Sequence, residues 1–157
     1  MGRSLDKLGC RPWAQHSHIE LVKGNVLDLD SLKQAAAGCQ IAYYLVHSMI
    51  AQEGKFVEAD REAARNMVAA AEAAGLTRMI YLGGLAEAKD DVLSKHLKSR
   101  IEVADILQAG SVPTTDLRAP MILGSGSASF EILRYLVERL PAMVTPRWVQ
   151  SLNQPIA

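Results

Sequence analysis

What most constrains this sequence is an alternation: short apolar runs rich in β-branched residues are each followed by a turn and then by an amphipathic stretch at helical spacing. The runs Ile19 to Val22, Ile41 to Val46, Met79 to Leu82 and Thr114 to Arg118, the last extending to Leu123, read as strands. The Ile41 to Val46 run is nearly unbroken, which predicts a strand buried on both faces of a parallel sheet. Between the strands, one helix starts near Asp30 or Ser31, either of which can cap its first amides, and stops at Gly38. A second, from Lys55 to Ala74, lines up Phe56, Ala63, Ala64, Met67, Val68 and Ala71 on one stripe and ends at Gly75. A third carries Leu97, Ile101, Ala104 and Leu107 in register and closes at Gly110. The last, from about Ala128 to Leu140, turns Phe130, Leu133, Leu136, Val137 and Leu140 inward. Alternating strands and helices with short connections favour an α/β fold with a doubly wound parallel sheet and right-handed crossovers.

Composition narrows the classes of function. The chain has 157 residues, 49% of them apolar, which suits one compact domain or a large part of one. Seventeen basic and seventeen acidic side chains cancel and are scattered along the chain, so no field attracts a phosphate backbone and nucleic acid is not an expected partner. Cys10 and Cys39 form neither a C-x-x-C pair nor a zinc spacing and read as free thiols. No apolar run reaches the roughly 18 residues of a membrane span, and the N-terminus lacks a secretion signal. A cytoplasmic location is therefore expected. Past Pro141 the pattern becomes irregular around Pro146, Arg147 and Trp148, and residues 141–157 read as the start of a substrate-side region.

Four segments in this order carry a family resemblance: Lys23-Gly24-Asn25-Val26-Leu27-Asp28, Ala42-Tyr43-Tyr44-Leu45-Val46-His47-Ser48, Tyr81-Leu82-Gly83-Gly84-Leu85, and Leu117-Arg118-Ala119-Pro120 leading into Gly124-Ser125-Gly126-Ser127. With them the chain resembles the atypical short-chain dehydrogenase/reductase group, the NmrA-like NAD(P)H-binding proteins, over nearly its whole length. The resemblance implies a Rossmann-type sheet in which a first strand and a glycine-rich phosphate turn precede the region seen here. No G-x-G-x-x-G occurs in these residues, and Gly124-Ser125-Gly126 follows the last of the four strands, where it reads as a flexible turn. Met1 is then an internal or misassigned start, with Met1 to Arg3 the tail of the second strand. The sheet would be incomplete, and its unpaired edges would leave the chain unstable or aggregation-prone.

The resemblance also implies site residues. Arg3 stands where relatives that prefer NADP hold a base against the adenosine 2′-phosphate, with Lys7 a second charge; a solvated surface arginine is the plain alternative. NADP is thus the expected cofactor, with NAD the alternative. Asn25 matches a position usually held by aspartate, where side chain and neighbouring backbone, here Val26, recognise adenine. Leu45, Val46 and His47 end a strand at the carboxyl edge of the sheet, where ligands lie in open α/β folds, and Gly83 and Gly84 do so on the next.

In classical relatives a serine after the fifth strand acts with a Tyr-x-x-x-Lys helix, and these three positions fall on Gly84, His96 and Arg100. All three have changed. The i to i+4 spacing still puts His96 and Arg100 on one side of a helix, as candidate catalytic groups: histidine can exchange a proton, and arginine can hold a ribose or phosphate. His16-x-His18 lacks a third ligand, so no metal is expected. Ser125, Ser127 and Ser129 lie outside any complete G-x-S-x-G elbow. The expected function is the NAD(P)-binding domain of an NADPH-dependent oxidoreductase acting on a small molecule of unspecified identity. The rivals are a non-catalytic NAD(P)H-sensing or scaffold protein and an inactive gene fragment. The sequence specifies no oligomeric state.

Overall fold

The computed structural model describes residues 1–46, 56–85, 94–124, 128–140, 142 and 155–156. Three strands, β1 (Ile41–Tyr44), β2 (Arg78–Gly83) and β3 (Thr114–Arg118), form a parallel sheet in the order β1-β2-β3. Tyr44 lies opposite Tyr81, Tyr81 opposite Asp116, and Gly83 opposite Arg118. The helices are α1 (Leu5–Gly9), α2 (Leu29–Ala36), α3 (Phe56–Ala74), α4 (Lys95–Gln108) and α5 (Ala128–Arg139). Parallel neighbours cannot be joined by a hairpin, so α3 carries the chain from β1 to β2 and α4 carries it from β2 to β3. The α/β class and the parallel, incomplete sheet agree with the sequence.

The core lies between one face of the sheet and helices α2, α3 and α4. Tyr44, Met79 and Tyr81 point into it from the strands, Leu32 from α2, Ala64, Met67 and Ala71 from α3, and Val103, Ala104 and Leu107 from α4. The alanines let α3 approach closely. Two polar residues are buried with them: Ser99 of α4 donates to the Asp60 carboxylate of α3 at 3.0 Å. The adjacent Arg61 grips Glu102 of α4 through Nε and a second nitrogen, at 2.8 and 3.0 Å. Two successive residues of α3 thus set the register of α4. Gly75 ends α3 in the left-handed region, at φ +67°, as its place after the apolar stripe predicts.

Several local expectations are corrected. The strand expected at Ile19 to Val22 is reduced to a parallel bridge between Gly2 and Lys23, because Gly2 is its pairing partner and supplies only one residue's worth of ladder: Gly2 N–H to Val22 O, and Gly24 N–H to Gly2 O. The cap of α2 is Asp28, whose extended backbone lets its carboxylate accept from the Asp30 and Ser31 amides at 3.1 and 3.2 Å. β1 is covered on one face only, with Ile41, Tyr43 and Leu45 exposed beside buried Tyr44. The strand expected to run to Leu123 breaks at Pro120, which has no N–H to give a ladder. Beyond it, Met121–Ile122 forms β4, paired in parallel with β5 (Pro155–Ile156). The residues Leu133, Leu136, Val137 and Leu140, expected to turn inward, are exposed instead. The helix start at Lys55 and the residues Ser125 to Ser127, Arg147 and Trp148 lie outside the described residues.

Candidate functional site

The turn after the Gly2 and Lys23 bridge is held from several sides. Gly24 N–H is bound by Gly2 O at 3.1 Å, and Asn25 N–H donates to Ser31 Oγ at 3.0 Å. Leu27 N–H donates to Asn25 Oδ1 at 3.2 Å, an Asx turn, and Asp28 N–H donates to Asn25 O at 2.9 Å. One amide is left over: among the described residues, Val26 N–H has no partner. The Asn25 side chain is exposed, with one carbonyl lone pair and its amide hydrogens still available. Arg3 is exposed directly after Gly2, on the partner side of the same bridge, and Lys7 is exposed on α1. The bridge therefore brings Arg3 into the neighbourhood of the Gly24 to Val26 turn.

A second group forms at the carboxyl end of β2. Arg100, half-buried on α4, donates through a guanidinium nitrogen to the Leu82 carbonyl, and its charge sits over the Tyr81 ring at 5.7 Å. Tyr81 in turn donates its hydroxyl to Arg100 O at 3.3 Å. Burial holds the phenols of Tyr44 and Tyr81 above the ordinary tyrosine value, so both stay protonated near neutrality. Gly84 is where α4 comes closest: a Cβ there would lie 3.0 Å from Leu97 Cδ2 and 3.5 Å from Arg100 Nε. At Gly83 a Cβ would meet Asp116 Oδ1 at 2.6 Å. That carboxylate is buried, its Oδ2 accepts from Arg118 Nε at 2.7 Å, and its Oδ1 has no partner among the described residues.

The expected site residues thus fall into two groups: Arg3, Asn25 and Val26 around one turn, and Gly83, Gly84 and Arg100 around the end of β2. His96 lies half-buried one helical turn before Arg100, on the same helix. Leu45 and Val46 follow β1 and are exposed, while His47 lies outside the described residues. No three His, Cys, Asp or Glu side chains gather into a metal-binding group among the described residues. The rings of His16 and His18 lie 5.3 Å apart, and Cys10 and Cys39 are free and exposed. No helix among the described residues is long and apolar enough to cross a membrane.

Sequence reasoning missed three polar partners that shape these groups: Asp60, Asn66 and Asp116. Only Asp60 was legible in principle. Asp60 falls on the buried stripe of α3 at the spacing of Ala63, Ala64 and Met67, where a carboxylate needs a donor. Asn66 donates through Nδ2 to Val26 O at 3.1 Å, a contact across 40 positions that no local pattern announces.

Comparison with known proteins bears on the identity of this arrangement. The chain superposes on a nucleoside-diphosphate-sugar epimerase from Staphylococcus aureus with a TM-score of 0.65 at 18% identity, over 87% of this chain and 44% of that one. It superposes on the triphenylmethane reductase of Citrobacter sp. in complex with NADP(H) with a TM-score of 0.66 at 20% identity, over 87% and 44%. The enzyme WbmG of Bordetella bronchiseptica in complex with NAD gives a TM-score of 0.65 at 15% identity, over 79% and 46%. The chain spans less than half the length of these three proteins, and at such identities the likeness is one of fold. No curated protein sequence matches the chain. A family model described as NAD(P)H-binding matches residues 2–123, and the chain accordingly belongs to that NAD(P)H-binding family, in line with the resemblance read from its sequence.

Proposed function

We propose that this chain is the NAD(P)-binding part of an NADPH-dependent oxidoreductase of the atypical short-chain type, acting in the cytoplasm on a small molecule. The observation that carries the reading is the turn from Gly24 to Asp28, where the Val26 amide alone is left to donate and the exposed Asn25 side chain offers acceptor and donor beside it. Such a pair suits the edge of an adenine ring, whose amino group donates and whose ring nitrogen accepts. Arg3 beside that turn supports a 2′-phosphate and hence NADP over NAD.

When bound, the nicotinamide supplies or accepts the hydride. The chain's own residues do the rest. Gly83 and Gly84 end β2, and with Leu45, Val46 and His47 they form the carboxyl edge that would face the nicotinamide. Arg100, anchored on Leu82 O, holds positive charge there, and His96 one turn earlier exchanges a proton with the substrate oxygen. Residues 141–157 begin the substrate side. No G-x-G-x-x-G cradle for the pyrophosphate lies within these 157 residues.

A second reading, an NmrA-like sensor that binds the dinucleotide without turnover, is favoured by one observation: glycine, histidine and arginine occupy the serine, tyrosine and lysine positions, and the Arg100 guanidinium is engaged by Leu82 O. Titration calorimetry with NADPH, on this chain and on a version extended upstream of residue 1, tests both. Binding by either version with a preference over NADH supports the cofactor reading, and hydride consumption with carbonyl or dye substrates separates the enzyme from the sensor. A folded protein that binds no dinucleotide in either version overturns both.

A further inference from the structure

The Val26 to Leu27 peptide is clamped at both ends. Its N–H donates to Asn25 Oδ1 at 3.2 Å, and its carbonyl accepts from Asn66 Nδ2 at 3.1 Å. The first clamp belongs to the turn itself. The second comes from the middle of α3, which is fixed in the core by Ala63, Ala64, Met67 and Ala71 on the flanking positions of the same helix. A partly buried amide on a rigid helix is therefore the one described side chain from outside the turn and α2 that hydrogen-bonds the backbone between Asn25 and Asp28. The neighbouring Asn25–Val26 peptide, which carries the unpaired Val26 N–H, is held at its carbonyl by Asp28 N–H at 2.9 Å and Ser31 Oγ at 3.0 Å, so the Asn66 bond pins the other side of Val26 and seats the turn against α3.

We infer that Asn66 is a positioning residue for base recognition, anchoring to α3 the turn that presents the Val26 amide to the ring nitrogen of adenine, through its hold on the Val26 carbonyl. The inference rests on the cofactor reading above and goes further, because it makes discrimination between purine bases a property of α3. Adenine presents an acceptor at its N1 position. Hypoxanthine presents an N–H there, which an aimed amide donor opposes, while Asn25 can serve the exocyclic group of either base by using its oxygen or its nitrogen. A loosely held Val26 amide would tolerate both.

The test compares dissociation constants for NADPH and for its hypoxanthine analogue, in whichever version of the chain binds NADPH, for the wild type, Asn66→Ala and the nearly isosteric Asn66→Asp. The wild type should favour NADPH about 10-fold, the discrimination of one good hydrogen-bonding position. Both variants should bring that ratio towards 1, chiefly by weakening NADPH. The ratio is internal to each protein, so a general loss of folded material leaves it unchanged, and a thermal unfolding curve reports that loss separately. A wild-type ratio near 1, or a variant ratio equal to a high wild-type ratio, overturns the inference while leaving the cofactor site intact. Absence of NADPH binding by every version removes the cofactor reading and the inference with it.

Discussion

Arg100 ties the second turn of α4 to the end of β2 by donating from its guanidinium to the Leu82 carbonyl. The same charge lies over the Tyr81 ring, whose hydroxyl returns a bond to the Arg100 carbonyl. Hydrogen bonds from a charged donor contribute about 1.5–3 kcal/mol, and a cation over an aromatic ring adds at least about 0.5–1 kcal/mol. Arg100→Met, which keeps the stem and removes the fork, is expected to lower stability by about 1.5–3 kcal/mol in urea unfolding. Arg100→Lys should recover part of it, since an ammonium can reach one acceptor without the planar fork. A Met variant as stable as the wild type would mean that the guanidinium is solvated and does not brace this edge.

Ser99 and Asp60 make the buried polar contact between α3 and α4. Taking the hydroxyl away leaves a buried carboxylate short of one donor, so Ser99→Ala is expected to cost about 1–3 kcal/mol. Asp60→Asn removes the charge and keeps an acceptor, and should cost less than Asp60→Ala. Chemical denaturation of the three variants gives the order. Equal losses for Asn and Ala would show that the Ser99 bond contributes little.

These two contacts mark where sequence reasoning succeeds and where it stops. The strand and helix pattern was legible because it depends on local periodicity: Met67 and Ala71 repeat on α3 as Val103 and Leu107 do on α4, and Gly75 ends α3 where a left-handed residue is needed. The exposed stripe of α5 and the bare face of β1 were misjudged for a single reason, since periodicity says which residues share a face and nothing about what covers it. The candidate site was half legible. Gly83, Gly84, Asn25 and Val26 came from the resemblance, whereas the Asn66 bond to Val26 O and the Asp116 carboxylate beneath Gly83 join residues 40 and 33 positions apart, and only the packing of α3 against the turn and the pairing of β2 with β3 bring them together.

Gly83 and Gly84 should respond differently to the same added methyl group. At Gly83 the methyl would sit 2.6 Å from Asp116 Oδ1, and that carboxylate is held by Arg118 and enclosed, so it cannot swing aside cheaply. At Gly84 the nearest atom is Leu97 Cδ2 at 3.0 Å, the far end of a side chain that can rotate. Gly83→Ala is expected to cost about 1–3 kcal/mol, as overpacking does, and Gly84→Ala under about 1 kcal/mol. Adding Asp116→Ala to Gly83→Ala should relieve the clash, a coupling that a double-mutant cycle in thermal unfolding would register. Additive losses would contradict the geometry.

Glu72 supplies the pH dependence that this fold predicts most directly. Its Oε1 accepts from the backbone N–H of Ser111 at 2.9 Å and from its hydroxyl at 2.8 Å, which closes the loop between α4 and β3 against α3. Those bonds favour the charged form, the backbone one most, and hold the carboxyl below the ordinary glutamate value. A depressed folded value means that the folded state binds its proton later than the unfolded state as pH falls. The stabilisation is therefore complete above the unfolded value of about 4.3 and disappears as the pH drops through the lower, folded one. The difference in melting temperature between the wild type and Glu72→Gln should be constant at neutral pH, begin to shrink near about pH 4 and continue shrinking below it. Ser111→Ala should shift the onset back towards an ordinary glutamate. If the difference does not change across that acid range, the carboxylate is not held by Ser111 in solution, and the loop is closed by packing of Val68 against Gly110.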